Sequence, residues 1–201
     1  MFFFACVLFA VAGMGIVSSV RAAIAQVIYC ESKYGWTRED EEYILTEEDE
    51  EKVFSNCERA FVLYPHNYSF CTWTSEMAWY GRHDEDGAEN PTKRAIADQW
   101  CQRGLALNSF DSQLRMLEVN LLIDEELKDA IRKLEAYVEW NFWEPYNHAF
   151  LAELYARDGR YGDAIESLLW VKGSRYERDA RQRVRDAWTA EIEATATPQQ
   201  R

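Results

Sequence analysis

The chain has 201 residues, a formal net charge of -13 and a sequence pI of about 4.7. Nucleic-acid binding depends on clustered Lys and Arg that neutralise phosphate, so this charge balance argues against it. Nine Gly and four Pro are few turn-formers for this length. Together with abundant Ala, Leu, Glu and Arg, they predict an all-α protein.

The opening run Phe2 to Val20 contains no charge. About twenty apolar residues are needed to cross hydrocarbon as a helix, and this run reaches that length. Arg21 can snorkel to the interface. Apolar character resumes through Ile24, Val27 and Ile28, so the helix is expected to continue to Tyr34, with Gly35 ending it. A secretory signal peptide is the rival reading, but it would call for a basic start, and this chain begins Met1-Phe2-Phe3-Phe4. An uncleaved single-span anchor is the favoured expectation, with a bacterial inner membrane as its location. Gly15, Ser19 and Ala23 recur every four residues, the spacing at which small side chains let membrane helices pack closely. Arg21, Lys33 and Arg38 follow the span, and the positive-inside rule then favours a cytoplasmic domain, with a periplasmic one as the alternative.

Glu39 to Glu51 holds nine acidic residues and no basic one. It reads as a solvated connector entering a helix N-terminus, with Thr46 as N-cap and Asp49 as its reciprocal partner. Docking to a basic partner is the functional alternative. The next helix uses Val53, Cys57, Ala60 and Phe61 and stops at Tyr64-Pro65. A helix over Tyr68 to Tyr80 follows, then a polar insert from His83 to Asn90. Pro91 opens another helix, with Ala97, Cys101 and Gly104 at close-approach positions. Asp84 and Asp86 lack the spacing of a calcium loop, since Gly87 comes too early. The insert is either a projecting recognition loop or a passive extension. Leu114, Leu117, Leu121 and Leu122 form one further stripe, and Leu127, Ala130, Ile131, Leu134 and Val138 the next.

Pro145 to Val171 reads as two short amphipathic helices joined by a tight turn. Leu151, Leu154 and Tyr155 share one face, Asp158-Gly159 ends the first helix, and Tyr161, Ala164, Ile165 and Leu168 stripe the second. Leu151-Ala152, Tyr155, Gly159, Tyr161, Ala164 and Leu168 fill, in order, the pattern of the tetratricopeptide repeat, and the stretch resembles that family. His148 stands where the family usually has Trp. Asp129-Ala130-Ile131 parallels Asp163-Ala164-Ile165 at a separation of 34 residues, the family's repeat length. The resemblance implies a helical-hairpin solenoid over residues 52–194. It would follow a membrane helix and extension at 1–34 and an acidic connector at 35–51, and precede a disordered tail at 195–201. A last helix from about Arg175 to Glu193 would cap the stack, with Arg178, Arg181 and Arg185 on its polar face.

The chemistry-bearing residues are sparse. The three His are not paired at helical spacing, the five Cys show no zinc-ligand spacing, and no phosphate or dinucleotide loop occurs. A Cys57–Cys71 disulfide is possible in an oxidising compartment. No enzyme activity, cofactor, metal or small-molecule substrate is expected. Trp140-Asn141-Phe142-Trp143 is either a packed corner or an interface hot spot, so Trp140 and Trp143 are partner-binding candidates. The family alignment places Tyr146, Ala149, Glu153 and Arg157 on the inner surface of the last repeat, with Ser112 and Arg115 in the one before. The expected function is a membrane-anchored scaffold or accessory subunit that holds protein subunits of a membrane complex. The alternative is a periplasmic regulatory tail, similar to those of surface-polysaccharide polymerases and ligases.

Overall fold

The computed structural model describes residues 2–34, 46–83 and 86–196. Among these residues the fold is all-helical, and the only pairing of extended backbone is an isolated antiparallel bridge between His83 and Glu89. The helices are α1 (Phe2–Tyr34), α2 (Glu47–Leu63), α3 (Tyr68–Tyr80), α4 (Pro91–Leu107), α5 (Ser112–Leu122), α6 (Leu127–Trp140), α7 (Pro145–Arg157), α8 (Tyr161–Val171) and α9 (Glu177–Ala196). Gly35, Arg38, Asp84 and the acidic run up to residue 45 lie outside the described residues, as do residues 197–201.

Helix boundaries follow from local chemistry. Thr46 caps α2 reciprocally: Asp49 N–H donates to Thr46 Oγ1, and Thr46 N–H donates to Asp49 Oδ2, both at 3.3 Å. The acidic residues from Glu47 to Glu51, expected as connector, therefore form the first turn of α2. Asn67 and Asn90 accept backbone N–H groups at the starts of α3 and α4, and Pro91 and Pro145 occupy first helical positions. Gly159 has φ +75° between α7 and α8. Arg160 N–H donates to Tyr155 O at 2.8 Å and Gly159 N–H to Ala156 O at 3.2 Å, the two bonds of a Schellman ending.

Packing divides the chain into two compact units, Met1–Leu114 and Arg115–Arg201. The expected repeat body over 52–194 is thus divided inside α5, and α1 belongs with the first unit.

In the first unit α1 packs on α2, and α3 packs on α4. Ala25, Tyr29, Ala60 and Phe70 form one buried cluster, and Tyr29 stacks tilted on Phe70 with ring centres 4.6 Å apart. Val53, Cys57, Cys71 and Trp100 form a second. Cys57 and Cys71 are free thiols in that cluster. Burial pushes the Cys57 thiol up to about 11 and Cys71 up to about 12, so both stay protonated and inert near neutrality. The insert after α3 is closed on itself: Asn90 N–H donates to Arg82 O at 2.7 Å, and Glu89 pairs with Arg82 and Arg94.

In the second unit the core runs through Ala130, Leu134, Leu151, Leu154, Ala164 and Val171 and is closed by Ala180 and Val184 of α9. Two expectations are corrected here. Ile165 is half exposed, because it sits about 100° around α8 from the buried Ala164; the inward stripe is Ala164, Ser167, Leu168 and Val171. The expected tail begins too early, since α9 continues through Thr195 to Ala196.

Gly104 is fully enclosed where α4 meets α3. A Cβ there would collide with Leu114 Cδ1 and lie 2.9 Å from Cys71 Cβ. Overpacking costs about 1–3 kcal/mol, more than the roughly 1 kcal/mol that Ala gains over Gly in a helix. Gly104→Ala is therefore expected to lower the midpoint of chemical unfolding. An unchanged or raised midpoint would show that this contact is loose.

Candidate functional site

The second unit carries an exposed aromatic face, built at the corner between α6 and α7 and along α8. The corner is set by its ends. Asn141 closes α6, donating N–H to Tyr137 O at 3.1 Å and side-chain Nδ2 to the Tyr137 hydroxyl at 2.8 Å. Glu144 opens α7 by accepting Tyr146 N–H at 3.3 Å. His148, buried on α7, donates from Nε2 to Phe142 O at 2.8 Å and so ties the corner to the helix. On its other side the His148 ring stacks on Trp170 of α8, with centres 5.2 Å apart and planes 10° apart. Phe142 meets both Trp143 and Trp170 edge-on.

These rings are held in place yet largely uncovered. Trp143 is 64% exposed, Trp170 57%, Phe142 52%, and Leu169 and Ile165 on α8 are 66% and 50%. Scattered apolar residues on a surface are ordinary; here the exposed rings of Phe142, Trp143 and Trp170 stand in direct contact. Beside it lies a cleft of about 270 Å³, lined among others by His148, Tyr155, Arg160, Asp163 and Trp170. The Tyr155 hydroxyl donates to Glu135 Oε1 at 2.8 Å, and Arg160 pairs with Asp163 at 2.6 Å and Glu135 at 3.4 Å. Burial, then the bond to Glu135, hold the Tyr155 phenol well above its ordinary value. The cleft is thus a polar rim beside an aromatic plateau.

The residues expected from sequence are distributed differently. Trp143 belongs to the aromatic face. Trp140 is 37% exposed and leans edge-on against Tyr137, with centres 4.8 Å apart. Tyr146 faces Tyr176 at 5.3 Å, and Glu153 pairs with Arg183 of α9 at 2.6 Å. The side of α7 that the resemblance assigns to a partner is therefore engaged by α9. Arg157 pairs with Asp124 at 3.6 Å. Arg115 pairs with the buried Glu118 at 3.1 Å, and Glu118 also takes Lys133 at 2.6 Å; Ser112 is exposed at the start of α5. Phe142 belongs to the aromatic corner expected from sequence, whereas the exposed Leu169 and Trp170 of α8 were not singled out. The signal was present in Leu168-Leu169-Trp170-Val171: a helix with one buried face cannot hide four consecutive apolar residues, so two of them must face outward.

In the first unit, α1 is long and apolar enough to cross a membrane. Residues 10–20 are exposed all round, whereas Ala25, Tyr29 and Ser32 are buried. Gly15, Ser19 and Ala23 lie on the exposed surface, and the Ser19 hydroxyl donates to Gly15 O at 2.9 Å. Among the described residues no group of three or more His, Cys, Asp or Glu is placed to hold a metal. Comparison with family models, with curated proteins and with solved structures finds no match for the chain.

Tyr155→Phe tests the polar rim. Losing one hydrogen bond to a carboxylate should cost about 1–3 kcal/mol near neutrality. A phenol held above the ordinary value of 10.0 keeps its proton longer in the folded chain than in the unfolded one. Its contribution is complete below pH 10 and is lost as pH rises towards the folded value. Thermal unfolding across that range should show a shallower alkaline decline for the variant than for the natural chain; parallel curves would refute the assignment.

Proposed function

We propose that the protein is a membrane-anchored helical scaffold or accessory subunit. In this reading α1 holds it in the bilayer, and the aromatic face of the second unit docks a protein subunit of a larger membrane complex. The observation that carries the proposal is the exposed cluster of Phe142, Trp143 and Trp170, in which His148 stacks on Trp170 and bonds the Phe142 carbonyl. Trp side chains of this kind supply large contact area at little entropic cost and dominate interface energetics.

The anchor reading draws on the division of α1. About nineteen residues at 1.5 Å per residue give roughly 28 Å, the thickness of a hydrocarbon core. Val11, Met14, Ile16, Val17 and Val20 are each more than half exposed, and burying such side chains in an apolar medium gains about 1.5–3 kcal/mol apiece. Arg21 and Lys33 follow the span and favour the cytoplasmic side for the helical units. Gly15, Ser19 and Ala23 are the surface by which the span would pack against neighbouring helices.

We read the helix pairs as tetratricopeptide-like. Ala130 and Ala164, 34 residues apart, are both fully buried, as expected of the small residue at which two helices of a repeat approach. The packing of α1 on α2 fits a first repeat whose leading helix is the end of the anchor. The charge of -13 suits a partner with basic or neutral contact surfaces.

Gentle detergent extraction of the natural chain is expected to recover it with integral membrane subunits at fixed stoichiometry. Replacing both Trp143 and Trp170 with Ala should release those subunits while leaving helix content and membrane association intact. Recovery of the natural chain as a lone monomer, or a double variant that keeps its partners, would overturn the proposal.

A further inference from the structure

The first unit contains a groove of about 510 Å³ where α1 leaves the helical body. One wall is the end of the apolar run, with Gly13, Met14 and Val17; the other is the turn between α2 and α3, with Tyr64 and His66; Arg21 stands between them. Arg21 Nη2 donates to Val62 O at 3.2 Å, which fixes the guanidinium at this place while its fork retains further donors. A Cβ on Gly13 would meet nothing within 4 Å, so the absence of a side chain there is part of the opening. No carboxylate is among the described residues lining it, in a chain that carries 35 acidic residues.

We infer that this groove binds one membrane phospholipid, with its phosphodiester on Arg21 and an acyl chain along Gly13, Met14 and Val17. The inference rests on the anchor reading, which sets the groove's depth. If Phe2 to Val20 fill the hydrocarbon, Arg21 lies at headgroup level and Gly13 about 12 Å deeper among the acyl chains. The polar and apolar ends of the groove are then arranged as the two ends of a lipid are. Tyr64 and the exposed Tyr68 sit on the same end of the unit, where aromatic side chains favour the interface. The guanidinium is the side chain best matched to a phosphate, by two parallel charge-assisted bonds. The occupant also answers a physical need: a bilayer lipid fills the wedge between span and turn, which the chain itself leaves open.

The test uses the full chain in detergent micelles supplemented with phosphatidylglycerol and read by native mass spectrometry, with alkaline carbonate extraction from phospholipid vesicles alongside. The natural chain should hold one phosphatidylglycerol. Arg21→Gln should weaken retention roughly tenfold, the loss expected for a charge-assisted bond. Gly13→Leu places a side chain in the apolar end, where a Cβ meets nothing within 4 Å, and should also expel the lipid. Inorganic phosphate should displace none of it, since it cannot occupy the apolar wall. If both variants hold phosphatidylglycerol as well as the natural chain does, or inorganic phosphate displaces it, the site is refuted while the anchor reading stands. If carbonate releases the natural chain from vesicles, the anchor reading fails and the site falls with it.

Discussion

Ala25, Tyr29, Ala60 and Phe70 close into one buried cluster, and through it the second half of α1 becomes part of the helical body. Everything about the N-terminal helix depends on that contact. The small Ala25 and Ala60 let two helices come close, and the Tyr29 ring, laid on Phe70 and edge-on to Trp73, widens the contact to α3. A helix of 33 residues is about 50 Å long. With its final third docked, the remaining length matches one bilayer crossing and leaves no slack.

The same docking explains where charge is tolerated. Arg21 is the first charge after the apolar run, and its guanidinium is held by the carbonyl of Val62 at the end of α2. Lys33 lies near the rings of Tyr29 and Tyr34, at 5.7 and 5.4 Å from their centres. Both cations therefore sit on the side of α1 that leans on the body, whereas the apolar surface of residues 10–20 is left clear.

The second unit solves a different problem with similar means. A hairpin of two short helices cannot bury both of its faces, and α9 covers only one. Ala180 and Val184 enter the core, and Arg183 and Tyr176 take up Glu153 and Tyr146. What stays open is the opposite side, along α8 and the α6–α7 corner. There His148 stacks on Trp170 while its N–H holds the corner carbonyl. The aromatic face is thus tied to α7 by one ring stack and one hydrogen bond.

Much of this was determined by the sequence alone. The boundaries of α3, α4, α7 and α8, the capping pair Thr46 and Asp49, and the left-handed turn at Gly159 are encoded by residues within one turn of each other. Short-range sterics and hydrogen bonds decide such features with little help from the rest of the chain. Gly104 was legible as a point of close approach for the same reason, a missing Cβ in an otherwise bulky helix. The division inside α5, the pairing of Glu153 with Arg183 of α9 and of Tyr146 with Tyr176, and the outward turn of Ile165 and Trp170 were decided only by tertiary structure. Each depends on which of two similarly apolar helix faces finds a partner. That choice is made by the summed packing of residues far apart in the chain, and no local pattern records it.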